Sequence, residues 1–555
     1  MKNRQHQTIS SALWAAYGDA LGFPTELATS TLIRQRIGTG EISRTVSWKR
    51  LVGGRFGAQV ELPAGSYSDD TQLRLATSRS IRGDGFFDVE SFAKIELPIW
   101  LAYCLGAGRG SKAAASSLSG RTATWFSNFF SGNGSVYTNG GGNGAAMRVQ
   151  PHVWSATDLN NENTYLPDVV RNAVCTHGHV RGIAGAMIHA STLAYVLRTG
   201  EIPSPDDWMD FASIIEKLPA IVAADSELST FWKPTWEEQS NITLDDAASA
   251  IADEWADAAG AAINLISDDV ASSYKMIVES LLGLTDAERG SGLKCALFAL
   301  VGAWLFRSDG TDTALKVVVN LQKSDTDTIG TMLGALLGAR SNEENPFNDL
   351  QDKHYIVSEA ARMFKISQRE DTDSFTYPDL LYWQSPNTPL DAVGSHNNKI
   401  AIAGLGIVEL DGIEYKSNQK GTIWQWLKLP FGQTILSKRR SVLNPISENF
   451  LPKISSIIKQ DKKVKNEISE FKNRVDKTKD LFEGEEILDI KSSRMEKDLS
   501  LDELTDIAIR ANFDVAIIGR HILQFADSQQ AIELALAYVA IIMKARRARL
   551  KKATG

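Results

Sequence analysis

Cysteine is scarce in this chain: Cys104, Cys175 and Cys295 are the only three in 555 residues. Their odd number and wide spacing exclude a disulfide framework and fit reduced thiols, so a cytoplasmic protein is expected. Long apolar runs are also missing. The strongest, Cys295 to Phe306, is far short of the ~20 residues a membrane span needs and reads as a buried helix. Met1 to Gln7 lacks the apolar stretch of a secretion signal, and no membrane partner is expected. Positive charge is not in excess, because 59 Lys and Arg face 67 Asp and Glu for a net charge of -8. That balance argues against a general nucleic-acid binder and leaves only a local basic patch open. Internal repeats and long low-complexity tracts are absent. So are the G-x-x-x-x-G-K-[ST] loop of nucleoside triphosphate sites and the dinucleotide fingerprint in its strand–turn–helix setting.

At this length the chain exceeds one compact core. From about residue 8 to 340 the pattern is mostly helical, as in Ile9 to Leu21, Thr71 to Ile81, Ile183 to Leu197, Leu293 to Phe306 and Thr328 to Leu337. Gly330, Gly334 and Gly338 recur every four residues and line one face of a helix, which permits close packing. Val46 to Gly65 reads as a hairpin. After about 370 the character changes. Lys399 to Ile402, Gly406 to Leu410 and Thr422 to Trp426 read as strands between turns. From Ile446 helical patterns return, with a strongly charged stretch over Lys459 to Lys497, apolar-periodic helices from Leu501 to Ala545 and a basic end. The expected division is 1–370, a mostly α domain; 371–445, a small β-rich module; and 446–555, a helical C-terminal region.

Two short acidic strings, Ser68-Asp69-Asp70-Thr71 and Asp325-Thr326-Asp327-Thr328, each precede a helical pattern. Their oxygens suit Mg2+, Mn2+ or Ca2+ rather than zinc, whose usual His and Cys ligands they lack. Folded together, they would hold a pair of hard cations roughly 3.5–4 Å apart, as in two-metal hydrolases. Taken singly, each string also fits an ordinary helix cap.

Three other features carry polar groups. Tyr17 to Glu26 ends a helix near Gly22, where a left-handed glycine cap is expected, and Pro24 and Glu26 follow on a constrained loop. Asn139 to Arg148 is a glycine-rich loop whose backbone N–H groups can cradle phosphates. Thr176-His177-Gly178-His179 opens a helix and offers two histidines, either to a diphosphate or base, or to a cap and to solvent.

In order, Gly18-Asp19-Ala20 with Glu26, Ser68 to Thr71, Asn143 to Arg148, Thr176-His177 and Asp325 to Gly330 resemble the ADP-ribosylglycohydrolase family, the group related to dinitrogenase reductase-activating glycohydrolases. The resemblance covers about 8–340 and implies an all-helical core. It also implies a binuclear site of two Mg2+ (or Mn2+) and an enzyme that hydrolyses the glycosidic bond between ADP-ribose and an acceptor. It carries metal ligation onto Ser68, Asp69, Asp70, Asp325, Asp327 and Thr328. Asn143, Gly144, Ala145, Met147 and His177 would bind ADP-ribose. Glu26, Asp69 and Asp327 would be catalytic, with Glu26 as acid, base or gate. Ser68 stands where many relatives have Thr, and Gln150 before Pro151 is a second departure. Neither removes a ligand oxygen.

The acceptor is left open among protein, nucleic acid and small molecule. The alternative is a non-catalytic ADP-ribose-sensing module that engages a protein partner through 371–555. A further reading brings nucleic acid to Trp424, Trp426 and the Lys438-Arg439-Arg440 run.

Overall fold

Small residues set how closely the central helices of this protein approach. The computed structural model describes residues 4–132, 134–341, 347–452, 500–511, 513–525 and 531–553. The charged stretch over 459–497 lies outside them. Six helices frame the argument: α1 (Arg4–Gly22), α2 (Asp69–Ser80), α3 (Val180–Thr199), α4 (Gly292–Leu305), α5 (Thr326–Gly338) and α6 (Lys353–Ser367).

Helices α1 and α5 meet backbone to backbone. A Cβ on Gly18 would lie 2.2 Å from the Gly330 carbonyl oxygen, and one on Gly334 would lie 2.3 Å from that of Trp14. A Cβ on Gly338 would press to 2.7 Å from the Trp14 Cβ. The glycine stripe therefore does what its spacing implies. Likewise, a Cβ on Gly185 of α3 would lie 2.3 Å from the backbone of Gly292 at the start of α4. Helix α3 is long and apolar enough to cross a membrane, yet 89% of that stretch is buried within the protein, as a core helix would be.

The chain divides into two compact units, residues 1–222 with 233–453, and 223–232 with 454–555. In the first, Val46 to Gly65 forms the expected hairpin: β1 (Trp48–Val52) pairs antiparallel with β2 (Ala58–Leu62), Trp48 opposite Leu62. The β-rich segment holds two three-stranded antiparallel sheets. One comprises β3 (Val393–His396), β4 (Lys399–Ile402) and β5 (Gly406–Ile407); the other comprises β6 (Glu409–Lys416), β7 (Thr422–Lys428) and β8 (Thr434–Arg440), with β7 in the middle.

This segment shares its core with the helical part. Trp424, Trp426 and Leu436 pack in one apolar cluster with Phe23, Trp48, Val60 and Leu62. Both tryptophans are buried, which removes them as stacking platforms for nucleic acid. Arg439 donates to Glu414 and Gln425, and Arg440 to Asp391, so these two arginines are engaged in pairs. A second link is polar. Buried Arg79 of α2 makes a bidentate pair with Glu96 at 2.7 and 2.9 Å. Gln433 accepts from Arg79 at 2.7 Å, and the Tyr377 hydroxyl donates to Glu96 at 2.6 Å. A buried ion pair is tolerable only when its remaining lone pairs and protons are satisfied, and residues beyond 370 supply that here.

In the second unit, helices Leu501–Arg510, Val515–Phe525 and Ala531–Ala553 enclose their own apolar core of Leu504, Phe513, Phe525, Tyr538 and Ile542. Ser500 and Glu503 form a capping box at its first helix.

Candidate active site

Both acidic strings sit at helix N-termini, and α1 lies between them. Ser68 is the N-cap of α2; its hydroxyl accepts the Asp70 N–H at 3.2 Å. Asp19 of α1, fully buried, accepts the Ser68 N–H at 2.8 Å, the Thr71 N–H at 2.9 Å and the Thr71 hydroxyl at 2.6 Å. An anion there satisfies two helix-terminal donors and complements the dipole. Asp19 thus fastens the first string to α1, and Arg74 donates to Thr71 at 2.8 Å to complete the arrangement.

The second string is placed by α1 from its C-terminal end. Gly22 is not a left-handed cap: in this turn positive φ appears at Leu27 (φ 49), not at Gly22. Gly22 is small for a different reason. A Cβ there would stand 2.5 Å from the Thr326 carbonyl oxygen and 2.6 Å from the Asp327 Cα. Thr25 then bonds the Gly22 and Val319 carbonyls and Thr326.

Glu26, Asp325 and Asp327 come together, each offering a carboxylate oxygen within 4.8 Å of the others. Asp70 joins the two strings through the Thr328 hydroxyl, which donates to its Oδ2 at 3.4 Å. The other oxygen, Asp70 Oδ1, is buried without a hydrogen-bond partner. Asp69 lies beneath Gly106, whose φ of +89 suits glycine and whose Cβ would stand 2.9 Å from Asp69 Oδ1.

Crowded carboxylates disfavour one another's charge. Burial, then Glu26 and Asp19, raise Asp69 well above the ordinary range. Burial, then Asp19 and Asp69, do the same to Asp70; burial, then Glu26 and Asp70, to Asp327. Burial also raises Asp325. Glu26 is pushed up to about 7 by burial, with Arg50 opposing and Asp325 adding to the rise.

Arginines border the Glu26 side. Arg50 of β1 lies 3.6 Å from Glu26 and stacks 4.5 Å over Phe23. Arg36 donates to the Pro24 carbonyl at 2.7 Å and stacks 5.4 Å over Trp48. The hairpin that carries Arg50 is braced by the β-rich segment: Ser417 donates to the Phe56 carbonyl and the Asn418 N–H to that of Gly57.

The glycine-rich loop borders the other side. The Asn143 side chain donates to Asp325 Oδ2 at 2.9 Å, tying the loop to the second string. Arg148, fully buried, donates to the Gly144 carbonyl at 3.0 Å and to Thr176 at 2.8 Å, and Thr176 bonds His177 Nδ1 at 2.7 Å. His177 Nε2 faces the loop, 3.7 Å from where a Gly142 Cβ would lie. Burial, then Arg148, hold His177 down at about 3, so it is a neutral hydrogen-bonding group. His179 takes the bland role instead: it is the N-cap of α3, and its Nδ1 accepts the Arg181 N–H at 3.1 Å. Ala145 and Met147 are buried behind the loop.

All six residues of the two strings read as ligands, with Glu26, Asn143, Gly144 and His177, therefore fall in one region of the first unit. Asp19 and Arg148 stood in the matched motifs but were given no role of their own, and Arg36 and Arg50 were not singled out. Asp19 left a further signal, a carboxylate in the last turn of an otherwise apolar helix; Arg36 and Arg50 left none.

A helical core thus gathers carboxylates from two helix N-termini beside a glycine-rich loop. The family model described as ADP-ribosylglycohydrolase matches residues 2–348, and the chain belongs to that family, whose members have a glycohydrolase-type function. Among solved structures, one described as "ADP-ribosylglycohydrolase-related protein complex" is similar at 19% identity, over 66% of this chain and 100% of that one, with a TM-score of 0.38. Among curated proteins no match was found.

Proposed function

We propose that the protein is a binuclear, Mg2+- or Mn2+-dependent hydrolase that cleaves the glycosidic bond between ADP-ribose and an acceptor. The observation that carries this reading is the convergence of Glu26, Asp325 and Asp327 beside the unpartnered Asp70 Oδ1. The donor set fits hard cations: it is all oxygen, mostly anionic, and one buried lone-pair site is unused. Ser68, Asp69, Asp70, Asp325, Asp327 and Thr328 would hold them. When bound, such cations polarise ribose oxygens and lower the pKa of a water beside the anomeric carbon.

The chain's own groups do the rest. Asn143 keeps Asp325 oriented, and Asp19 keeps Ser68 and Thr71 in place. The Gly142 and Gly144 N–H groups and neutral His177 offer hydrogen bonds to the ADP-ribose phosphates. Glu26, raised toward neutrality, suits proton transfer: it protonates the leaving group or positions the water. Carboxylates of the cluster stabilise the oxocarbenium-like state electrostatically.

The test is release of free ADP-ribose from arginine-, serine- and nucleic-acid-linked substrates. Chelator should abolish release and Mg2+ or Mn2+ restore it. Asp327→Asn should abolish turnover, because losing one anion of the set weakens ion binding and geometry together. Full activity of a Asp69→Asn/Asp327→Asn double variant rules the reading out. Tight ADP-ribose binding without turnover on any substrate would favour the sensor instead.

A further inference from the structure

A cavity of about 730 Å³, with none of the acidic strings in its wall, opens between the turn after α2, the helix Gln150–Trp154 and the segment that follows α6. It is within the size range of small-molecule sites. Hydroxyls of Ser155, Thr157, Thr164, Thr372 and Ser374 line it, together with the carboxylates of Asp84, Asp168, Glu370 and Asp371; Arg369 is the one cation in the wall. Two polar atoms of lining residues are buried without a hydrogen-bond partner, His152 Nε2 and Thr372 Oγ1. His152 is only 3% exposed and packs edge-on against Phe87. Buried polar atoms without partners are costly, so such groups commonly mark where something else binds. The wall is also built to a fixed shape: the Gly83 N–H donates to Ser374 at 2.8 Å, and a Cβ on Gly83 would strike the Thr372 carbonyl at 1.9 Å.

We infer that this cavity is a second binding site, which takes a small organic cation carrying several N–H donors, an oligoamine or a guanidine. Asp84 pairs with Arg82 and Asp168 with Arg171, each at 3.2 Å, so Glu370 and Asp371 against Arg369 leave the wall net negative, which disfavours phosphates and carboxylates and favours a positive ligand. The hydroxyls and carboxylates are acceptors, so a ligand rich in N–H groups uses them and a simple alkyl cation does not. His152 is held neutral, at about 3, by burial and then by Arg148, so it does not repel a cation. Arg148 stands one turn earlier in the chain and grips Gly144 and Thr176, so the site adjoins the support of the glycine-rich loop.

The experiment is isothermal calorimetry on the full chain with spermidine, agmatine, tetramethylammonium and AMP, in the presence of Mg2+. Spermidine or agmatine should bind at one site per chain, with tetramethylammonium at least tenfold weaker. Exposed Glu370 and Asp371 can be changed without disturbing the core, and Glu370→Gln/Asp371→Asn should weaken binding at least tenfold. Asp327→Asn, at the acidic strings, should leave it unchanged. No heat with either amine overturns the inference, as does binding unaffected by Glu370→Gln/Asp371→Asn or lost in Asp327→Asn. None of these outcomes depends on turnover.

Discussion

Glu26 and His189 show what a single side chain sets. Glu26 lies with Asp325 and Asp327 in one acidic group and has its proton affinity raised to about 7. Glu26→Gln keeps the shape and removes the acid–base function. Turnover should fall ~10²–10⁴-fold, the usual contribution of such a group, while ADP-ribose affinity stays within several-fold. An unchanged kcat returns Glu26 to the role of loop carboxylate. His189 is a neutral core histidine 3.0 Å from the Gln150 side chain, held at about 3 by burial and then by Arg74. Unfolding lets it regain an ordinary value near 6.5, so below that pH the unfolded chain binds the extra proton. Its contribution is therefore intact above about 6.5 and is lost as pH falls toward 3. His189→Gln removes this dependence. The stability gap between wild type and variant should narrow by ~1.4 kcal/mol per pH unit below 6.5, as read from urea unfolding at pH 7 and 5. A constant gap contradicts it.

Elements differ in how much of their role could be read in advance. The two acidic strings were legible as helix starts because a cap is a local pattern, and the Gly330–Gly334–Gly338 stripe because spacing alone defines a face. Gly22 was legible as a necessity but not for its reason, since the obstructing atoms belong to Thr326 and Asp327, far along the chain. The role of Asp19 was hidden for the same cause: its partners Ser68 and Thr71 lie across the helix junction. The α1–α5 contact yields a paired test. Gly18→Ala would set a methyl 2.2 Å from a backbone oxygen and should cost at least ~3 kcal/mol, at the upper end of overpacking. Gly260, inside the helix Leu244–Ile263, has nothing within 4 Å of its would-be Cβ. Gly260→Ala should stabilise by up to ~1 kcal/mol. Thermal melts should shift in opposite directions; equal shifts would refute the packing argument.

At the scale of the whole molecule, the β-rich segment is structural to the first unit. Removing everything past 370 would bare Trp48, Val60 and Leu62 and strip Gln433 and Tyr377 from the Arg79–Glu96 pair. Breaking a buried ion pair's surroundings is strongly destabilising, so a 1–370 fragment should be insoluble or lack a cooperative melt. A monomeric fragment that melts as the full chain does would show the segment to be dispensable. That dependence was not legible in the sequence, because Trp424 and Trp426 on one face of a strand read as core residues without showing that Trp48 of the helical part lies against them.

The backbone contact of α1 with α5 has a consequence for how this chain can change over time. One residue inserted in α1 between Trp14 and Gly18 would rotate everything after it by about 100°. The Trp14–Gly334 and Gly18–Gly330 contacts could then no longer be satisfied together, and Asp19 would swing away from α2. Such a helix, buried on every side from Ser11 to Gly22, accepts no change of length. Homologues should therefore show gaps in the loops that flank α1 and α5, and none inside either helix.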